Sequence, residues 1–356
     1  YKAPTLTMGL LVFQFCKAFT GIVVQDGANL RLDSDGVLFS GDGKTLIGTV
    51  DTFAATSYTV PEGVEHISGY AFYKKTKLAE VTLPESLKSI GDSAFLGCTA
   101  LKAVALPSGL ETLGTYAFSE CSALTTADLG DTLTAIPDCA FNKCTALTKV
   151  ELPATVTSIA SKAFYSDSKL TAVAFPEGLT EIGKSAFYGC SKLTKAILPQ
   201  SLTTMDTEAF SGCSALTEID CGGLTVIPAK AFRGVSKLVK LTMSDDVTGI
   251  GDSAFSNCYL LKDFGWPSQL TTVGISAFTG CRLLQNFDFS GTKLVSIGKQ
   301  AFYQAYEART LKFPATLQSL GAQAFGNMNY NKTAYITEVA LPAALTDLAK
   351  TAFDKV

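Results

Sequence analysis

The sequence predicts an α/β solenoid, a right-handed coil of about 14 repeats of about 23 residues, and a recurring Ala-Phe pair is the main observation behind it. In register, the pair occurs 13 times, at intervals of 22 to 24 residues with a last interval of 28. Most intervals also contain a V-x-L step or an apolar variant of it, usually before proline, and an L-x-x-I step or a variant, often before glycine. Such a fixed period is typical of solenoids, whose turns stack on their neighbours. We call the phenylalanines of these pairs the key phenylalanines: Phe72, Phe95, Phe118, Phe141, Phe164, Phe187, Phe210, Phe232, Phe255, Phe278, Phe302, Phe325 and Phe353.

Each step of the repeat predicts a local structure. The V-x-L step, as in residues 104–106, alternates like a short strand, and Pro107 ends it because proline cannot donate to a ladder. These strands should form a parallel β-sheet on one face, with short strands from the L-x-x-I step on the other. Glycines such as Gly91 and Gly251 are expected at a corner with positive φ. Residues 92–95 predict a short helical turn with a polar cap.

The repeat also predicts the core and the domain organisation. One turn cannot bury its apolar side alone, so the chain should form a single solenoid over residues 1–356. Residues 25–58 predict a β-hairpin insertion, because Asp-Gly separates two strand-like runs. Residues 326–338 predict a loop insertion before the last repeat. The clearest core positions are Phe95, Phe118, Phe141, Phe164, Phe187, Phe210, Phe255 and Phe278.

The full pattern L-x-x-V-x-L-P-x-x-L-x-x-I-G-x-x-A-F-x-x-C resembles the BspA-like leucine-rich repeat, of the Treponema type. It is carried by Leu101, Val104, Leu106, Pro107, Leu110, Leu113, Gly114, Ala117, Phe118 and Cys121, and it recurs along the chain. Residues 35–46 also resemble the hairpin block that interrupts such arrays. The resemblance implies a secreted or cell-surface, adhesin-like protein that binds host matrix proteins or other cells, and it supplies no catalytic residue.

Composition excludes several classes of function. The net charge is −3 and the chain has one histidine, His66, which argues against nucleic-acid binding and most histidine-based catalysis. No run reaches the roughly 18 apolar residues of a membrane-spanning helix. The acids are scattered at repeat positions, not paired in a cleft. We therefore expect a monomeric binding protein without enzymatic activity, cofactor or membrane insertion.

The cysteines follow the repeat. Eight of ten lie three residues after a key phenylalanine or, for Cys16, after its N-terminal equivalent. Asp167 and Val235 occupy the same slot elsewhere, so we expect buried free thiols there and neither a metal ladder nor a disulfide framework. A local Cys139–Cys144 bond stays open. Residues 33–36 begin like a calcium loop but lack its later ligands, which favours a polar hairpin end.

Other singular residues have simple structural interpretations. We expect His66 on the surface and Trp266 in the core. Tyrosines that follow key phenylalanines should cover the rim of the core, although rows of tyrosines could also bind glycans: Tyr73, Tyr165, Tyr188 and Tyr303. Residues 331–333 form an N-glycosylation sequon.

The exposed strand positions carry the functional hypothesis. They flank each buried V-x-L residue and vary between turns, with eight acids and four lysines, whereas the buried positions repeat. This variation favours recognition of a protein partner, such as a host matrix or cell-surface protein. Alternatives are a structural spacer in a larger surface protein, which the alanine pairs fit, and glycan binding. The candidate partner-binding residues are Lys149, Glu151, Lys195, Glu218, Asp220 and Lys240.

Overall fold

The computed structural model describes residues 29–328, 336 and 338–356, which form strands and turns without any helix. They make a β-solenoid of about 12 turns of about 23 residues. The turn expected around Phe13 and most of the predicted 326–338 loop, with its sequon, lie outside the described residues. The chain divides into two compact units, Tyr1–Leu170 and Thr171–Val356.

The first unit begins with antiparallel strands and continues as parallel rows. Leu30–Leu32, Val37–Ser40 and Thr45–Thr49 pair antiparallel, and Thr45–Thr49 then pairs parallel with His66–Ile67. The V-x-L steps give three-residue strands, the first row: Ser57–Thr59, Glu80–Thr82, Ala103–Ala105, Thr126–Asp128 and Lys149–Glu151. The L-x-x-I steps give two-residue strands, the second row: His66–Ile67, Ser89–Ile90, Thr112–Leu113, Ala135–Ile136 and Ser158–Ile159.

The second unit contains the same two kinds of strand. Its first-row strands are Ala172–Ala174, Lys195–Ile197, Glu218–Asp220, Lys240–Thr242, Asn286–Asp288 and Thr310–Lys312. Its second-row strands are Glu181–Ile182, Thr204–Met205, Val226–Ile227, Gly249–Ile250, Thr272–Val273, Ser296–Ile297, Ser319–Leu320 and Asp347–Leu348. In both rows the central or last residue of most strands faces the core and its neighbours face solvent.

The key phenylalanines form the centre of each unit. The eight named as core positions are fully buried. Within a unit, successive rings lie nearly parallel, with centroids 5.0 to 5.6 Å apart from Phe72 to Phe164. From Phe187 to Phe353 they are 5.1 to 5.8 Å apart. Ring stacking at this spacing fills the column and fixes the register of the turns.

The predicted helical turn around each key phenylalanine is wrong. Two residues per turn adopt left-handed φ there, as at Ser93 (57°) and Gly97 (75°), and an α-helix cannot contain them. Alternate N–H groups point to the next turn instead: those of Ser93, Phe95 and Gly97 donate at 2.8 Å to the carbonyls of Thr115, Ala117 and Ser119. Hydrogen bonds between turns therefore replace those within a helix, and the described fold is all β.

The corner glycines serve a different purpose from the one expected. Gly91, Gly114 and Gly251 are absent from the positions with positive φ. A Cβ atom on Gly251 would lie 2.5 Å from the backbone nitrogen of Ala229, one turn earlier. At Gly114 the nearest atom, the nitrogen of Asp92, would be 2.4 Å away. Glycine is needed because consecutive backbones touch at this corner.

We expect Gly251→Ala to lower the free energy of unfolding by about 1–3 kcal/mol, the usual cost of overpacking, because rigid backbone lies in the way. Gly291→Ala is the matched control, since a Cβ there meets nothing within 4 Å. Denaturant unfolding of both variants measures the difference. Equal stability of the two variants would show that the turns can separate at the corner without loss.

Candidate functional site

The outward side chains of the first row are the candidate site, and in the first unit they include Lys149 and Glu151. Both side chains are exposed, and the ammonium of Lys149 donates to the Glu151 carboxylate. This hydrogen bond holds the pKa of Glu151 below its ordinary value. The two residues lie on either side of buried Val150, as the strand alternation predicts.

In the second unit the structure brings Lys195, Glu218 and Lys240 together. They are direct neighbours on three adjacent parallel strands. The Glu218 carboxylate accepts from Lys240 and lies 3.0 Å from the Lys195 ammonium, and these contacts lower the pKa of Glu218. The hydrogen bond to Glu218 raises the pKa of Lys240. Glu218 is only 21% exposed, whereas both lysines extend into solvent.

Asp220 has a different role from its neighbours. Its Oδ1 accepts from the backbone N–H of Gly222 at 3.0 Å, a bond that closes the turn after the strand. Asp128 makes the same bond to Gly130 at 3.1 Å. Both turns lack the proline that follows most V-x-L steps. This aspartate therefore shapes the strand end as well as adding charge to the surface.

A third cross-strand ion pair was missing from the predicted site. Lys312 Nζ lies 2.9 Å from Asp288 Oδ2 on the neighbouring strand. Hydrogen bonds from Ser290 and Lys312 lower the pKa of Asp288 to about 2. Opposite charges at the same strand position of consecutive turns are the sequence signal for such a pair. All four lysines at outward first-row positions thus contact an acid of the same row, and the remaining charge is negative.

A depression in the first row adds an apolar component. It measures about 400 Å³ and is open to solvent, with Ala172, Ala174, Phe175 and Ile197 among its lining residues. Ile197 is 49% exposed, which is unusual for an isoleucine in a strand. Lys195 lies at the edge of this depression. The alanine pair, which from sequence fitted a plain scaffold, creates space here.

The cysteine slot is buried, and its thiols have a consistent partner. Six Sγ atoms donate to the carbonyl of the key phenylalanine one turn earlier, at 3.1 to 3.4 Å: Cys98, Cys121, Cys144, Cys213, Cys258 and Cys281. Cys139 and Cys144 are separate free thiols, so the local bond between them is not formed. Cys190 and Cys221 are also buried, and Cys16 lies outside the described residues.

The remaining singular residues take structural positions. The Asp33 carboxylate accepts the backbone N–H groups of Asp35 and Val37 and the Tyr58 hydroxyl, as expected of a polar hairpin end. His66 is exposed, with Nδ1 2.8 Å from Ser89 Oγ. Half-buried Trp266 lies in a cluster of aromatic rings, and the four rim tyrosines are half-buried. Within the described residues no group of His, Cys, Asp or Glu is arranged to hold a metal, and no helix could span a membrane.

The repeat geometry agrees with the comparisons to known proteins. The BspA type Leucine rich repeat region matches residues 51–164, 134–260 and 225–356, which together cover most of the chain. The chain belongs to the BspA-type leucine-rich-repeat family. Its fold is similar to that of a leucine-rich repeat protein from Bacteroides ovatus ATCC 8483, with 21% identity, 91% of this chain and 95% of that one covered, and a TM-score of 0.59.

A second solved structure that resembles this chain is that of a cell surface protein. It is a leucine rich cell surface protein from Faecalibacterium prausnitzii A2-165, with 26% identity, 95% of each chain covered and a TM-score of 0.55. No curated protein is significantly similar in sequence. BspA-type repeats are generally binding or scaffold elements, and the chain shares their architecture over nearly its whole length.

We expect alkylating reagents to leave the nine described cysteines unmodified in the native protein and to label all of them after denaturation. Burial raises the pKa of Cys98 and Cys281 to about 12, so at pH 8 the reactive thiolate is scarce as well as inaccessible. Mass spectrometry of labelled peptides gives the count. We call the buried cysteines that lie three residues after a key phenylalanine the thiol ladder. Two or more disulfides within the thiol ladder would contradict this assignment.

We expect replacement of both Lys195 and Lys240 by methionine to raise the pKa of Glu218 toward its ordinary range. The charged carboxylate loses both ammonium partners, so it accepts a proton at higher pH. Carboxyl carbon shifts followed by NMR against pH measure this change. Lys149→Met is the control, because it should affect Glu151 and leave Glu218 alone. An unchanged Glu218 titration would mean that the two contacts do not persist in solution.

Proposed function

We propose that this protein is an adhesin-like binding protein, secreted or displayed at a cell surface, that recognises a macromolecule through the outward side chains of its first row. The observation that carries the proposal is the contrast between the two sides of each strand. Buried first-row positions keep similar apolar residues from turn to turn, whereas the outward ones change between charged, polar and apolar types. Packing constrains the first set, whereas the second faces solvent and, apart from aspartates such as Asp220 that close a turn, is not constrained by packing.

The second unit offers the chemistry such a surface needs. The Lys195–Glu218–Lys240 cluster supplies charges whose geometry is fixed by their mutual contacts, which lowers the entropy lost on binding. Beside it, the depression with exposed Ile197 supplies apolar area. Interfaces commonly combine an apolar centre with a polar rim. Membership of the BspA-type family and similarity to a leucine rich cell surface protein support the proposed location.

A structural spacer is the second candidate. The alanines of Ala103–Ala105 leave part of the first-row surface without recognition groups, and the lysines of the row already contact acids of the same chain. A spacer would hold other domains away from a surface and would bind nothing itself. The two candidates differ in whether any partner responds to changes in the first row.

The test begins with capture of host matrix proteins and cell-surface glycans by the immobilised protein. A charge-swapped variant, Lys195→Glu with Glu218→Lys and Lys240→Glu, keeps both internal ion pairs but reverses the pattern that a partner meets. We expect affinity for a captured protein to fall at least tenfold, and wild-type binding to weaken with salt, because charges steer the encounter.

The matched control swaps an ion pair of the same unit that lies outside the first row: Glu208→Lys with Lys230→Glu, whose side chains are 3.1 Å apart. This variant should bind like the wild type. If the first-row swap leaves the affinity unchanged, the row is not the binding surface. Failure to capture any partner would favour the spacer, and capture of glycans through the rim tyrosines would favour the glycan-binding alternative.

A further inference from the structure

Two consecutive turns of the second unit depart from the repeat at one edge. The fourth and fifth residues after a key phenylalanine are small, polar or lysine in the turns from Phe95 to Phe232, as in Ser214-Ala215. The next turns carry Tyr259-Leu260 and Arg282-Leu283 at the same slots. Nothing in the packing of the repeat requires large side chains there, since smaller ones suffice elsewhere. The substitutions therefore point to a role outside the fold.

These side chains are exposed. Tyr259 is 38% exposed, Leu260 43% and Leu283 38%, and Val239 at the end of the preceding turn is 58% exposed. The Arg282 guanidinium lies over the Tyr259 ring, 4.9 Å from its centroid. Leu260 and Leu283 occupy the same slot of consecutive turns, and exposed apolar residues that neighbour one another in this way mark interaction surfaces on soluble proteins. We call this group, Val239, Tyr259, Leu260, Arg282 and Leu283, the edge patch.

The first row is interrupted at the same turn. No first-row strand forms between Lys240–Thr242 and Asn286–Asp288, and over the described residues 262–266 no backbone hydrogen bond joins this turn to the first-row strand before it. Leu241 in this strand and Met243 just after it are half-buried, and with Phe264 and Gly265 they line a notch of about 180 Å³. Val239 directly precedes this strand, so the edge patch leads along the chain to the notch.

Aromatic packing explains the interruption. The Trp266 ring lies 4.4 Å from that of Phe264 and 4.6 Å from that of Phe289, and its Nε1 donates to the Asn286 carbonyl at 2.9 Å. The indole thus uses an acceptor on the next strand of the row. No first-row strand pairs with Lys240–Thr242 on the side of residues 262–266, and another extended chain can pair there by strand addition.

The charge around the edge patch is positive, although the protein as a whole is acidic. Lys237, Lys262 and Arg282 are exposed and lie in the turns that carry the edge patch. Asp263 is an exposed acid of these turns, and half-buried Glu307, at the slot of Leu283 in the next turn, lies 3.9 Å from Arg309. A partner should therefore be apolar enough to cover the leucines and acidic enough to meet the cations.

We propose that the edge patch, together with Lys237, Lys262 and the notch, is a docking surface for a protein segment that combines aliphatic or aromatic side chains with Asp or Glu. Tyr and Arg are the residue types that most often dominate protein interfaces, and both are present and in contact. The backbone edge at the notch favours an extended peptide over a lipid headgroup. This surface borders the first-row cluster at Lys240 but uses other side chains, and it does not depend on the function proposed for that cluster.

The test uses three fluorescein-labelled peptides of twelve residues: alternating Glu and Leu, alternating Lys and Leu, and alternating Glu and Ser. We expect the Glu-Leu peptide to bind wild-type protein at least tenfold more tightly than the other two in fluorescence anisotropy. The triple variant Tyr259→Ser, Leu260→Ala, Leu283→Ala should lose that binding at least tenfold. It introduces residues that the same slots already hold in other turns, so the fold should persist, and circular dichroism verifies this.

Two controls separate this surface from others. Lys192→Ala changes the same slot in another turn of the same unit, and it should bind the Glu-Leu peptide like wild type. Conversely, the triple variant Tyr259→Ser, Leu260→Ala, Leu283→Ala should keep wild-type affinity for a partner captured through the first row, so failure of one proposal is distinguishable from failure of the other. Lys237→Gln with Lys262→Gln should weaken binding and reduce its dependence on salt.

Four results would overturn the proposal. Equal binding by the wild type and the folded triple variant would remove the edge patch from consideration. Equal binding of the Lys-Leu and Glu-Leu peptides would show that the contact is purely apolar and does not select for charge. Binding to vesicles of 70% phosphatidylcholine and 30% phosphatidylglycerol that the triple variant lacks would assign the surface to lipid. Self-association in sedimentation velocity, lost in the triple variant, would assign it to a second copy of the chain.

Discussion

Close contact between the backbones of successive turns at the Ala-Phe pair is the constraint on which the rest of each unit depends. Each key phenylalanine donates its N–H to the carbonyl of the alanine before the next one, at 2.7 to 2.9 Å within a unit. Alanine is small enough to allow this approach, and the stacked rings behind it fill the column. The spacing set here is the strand spacing of both rows, so the register of every turn follows from it.

This constraint divides the sequence into positions that repeat and positions that vary. A turn that departs at a buried position disturbs its neighbours, because neighbours are all that a solenoid turn contacts. Departures at exposed positions do not disturb neighbouring turns, so these positions are free to change in ways that favour binding of a partner. The Lys195–Glu218–Lys240 cluster and the edge patch are both departures of the second kind, on different surfaces of the second unit. In such a fold, exposed residues that depart from the repeat are therefore the best candidates for functional residues.

Most of the fold could be predicted because the repeat reports burial directly: every named core phenylalanine is buried. The local pattern assigns the segment before Phe95 to a helical turn, because its polar residues resemble a helix cap. Its conformation is instead decided by hydrogen bonds to carbonyls of the next turn, and a local sequence pattern does not contain these. Alternation placed the candidate lysines and acids on the outside, but not their pairing, which depends on side-chain length across strands. The row interruption at Trp266 depends on ring packing from several turns, and no single turn encodes it.

The thiol ladder bears on where such a chain can persist. Extracellular media oxidise accessible cysteines, and a protein with many of them risks mispaired bridges and cross-linked aggregates. Here six thiol protons are committed to carbonyls inside the column, and burial disfavours the thiolate that oxidation requires. The repeat thereby uses cysteine as a compact hydrogen-bond donor that oxidants cannot reach while the turns stay stacked. Resistance of the thiols to oxidation therefore depends on the stacking of the turns, since a turn that opens also exposes its sulfur.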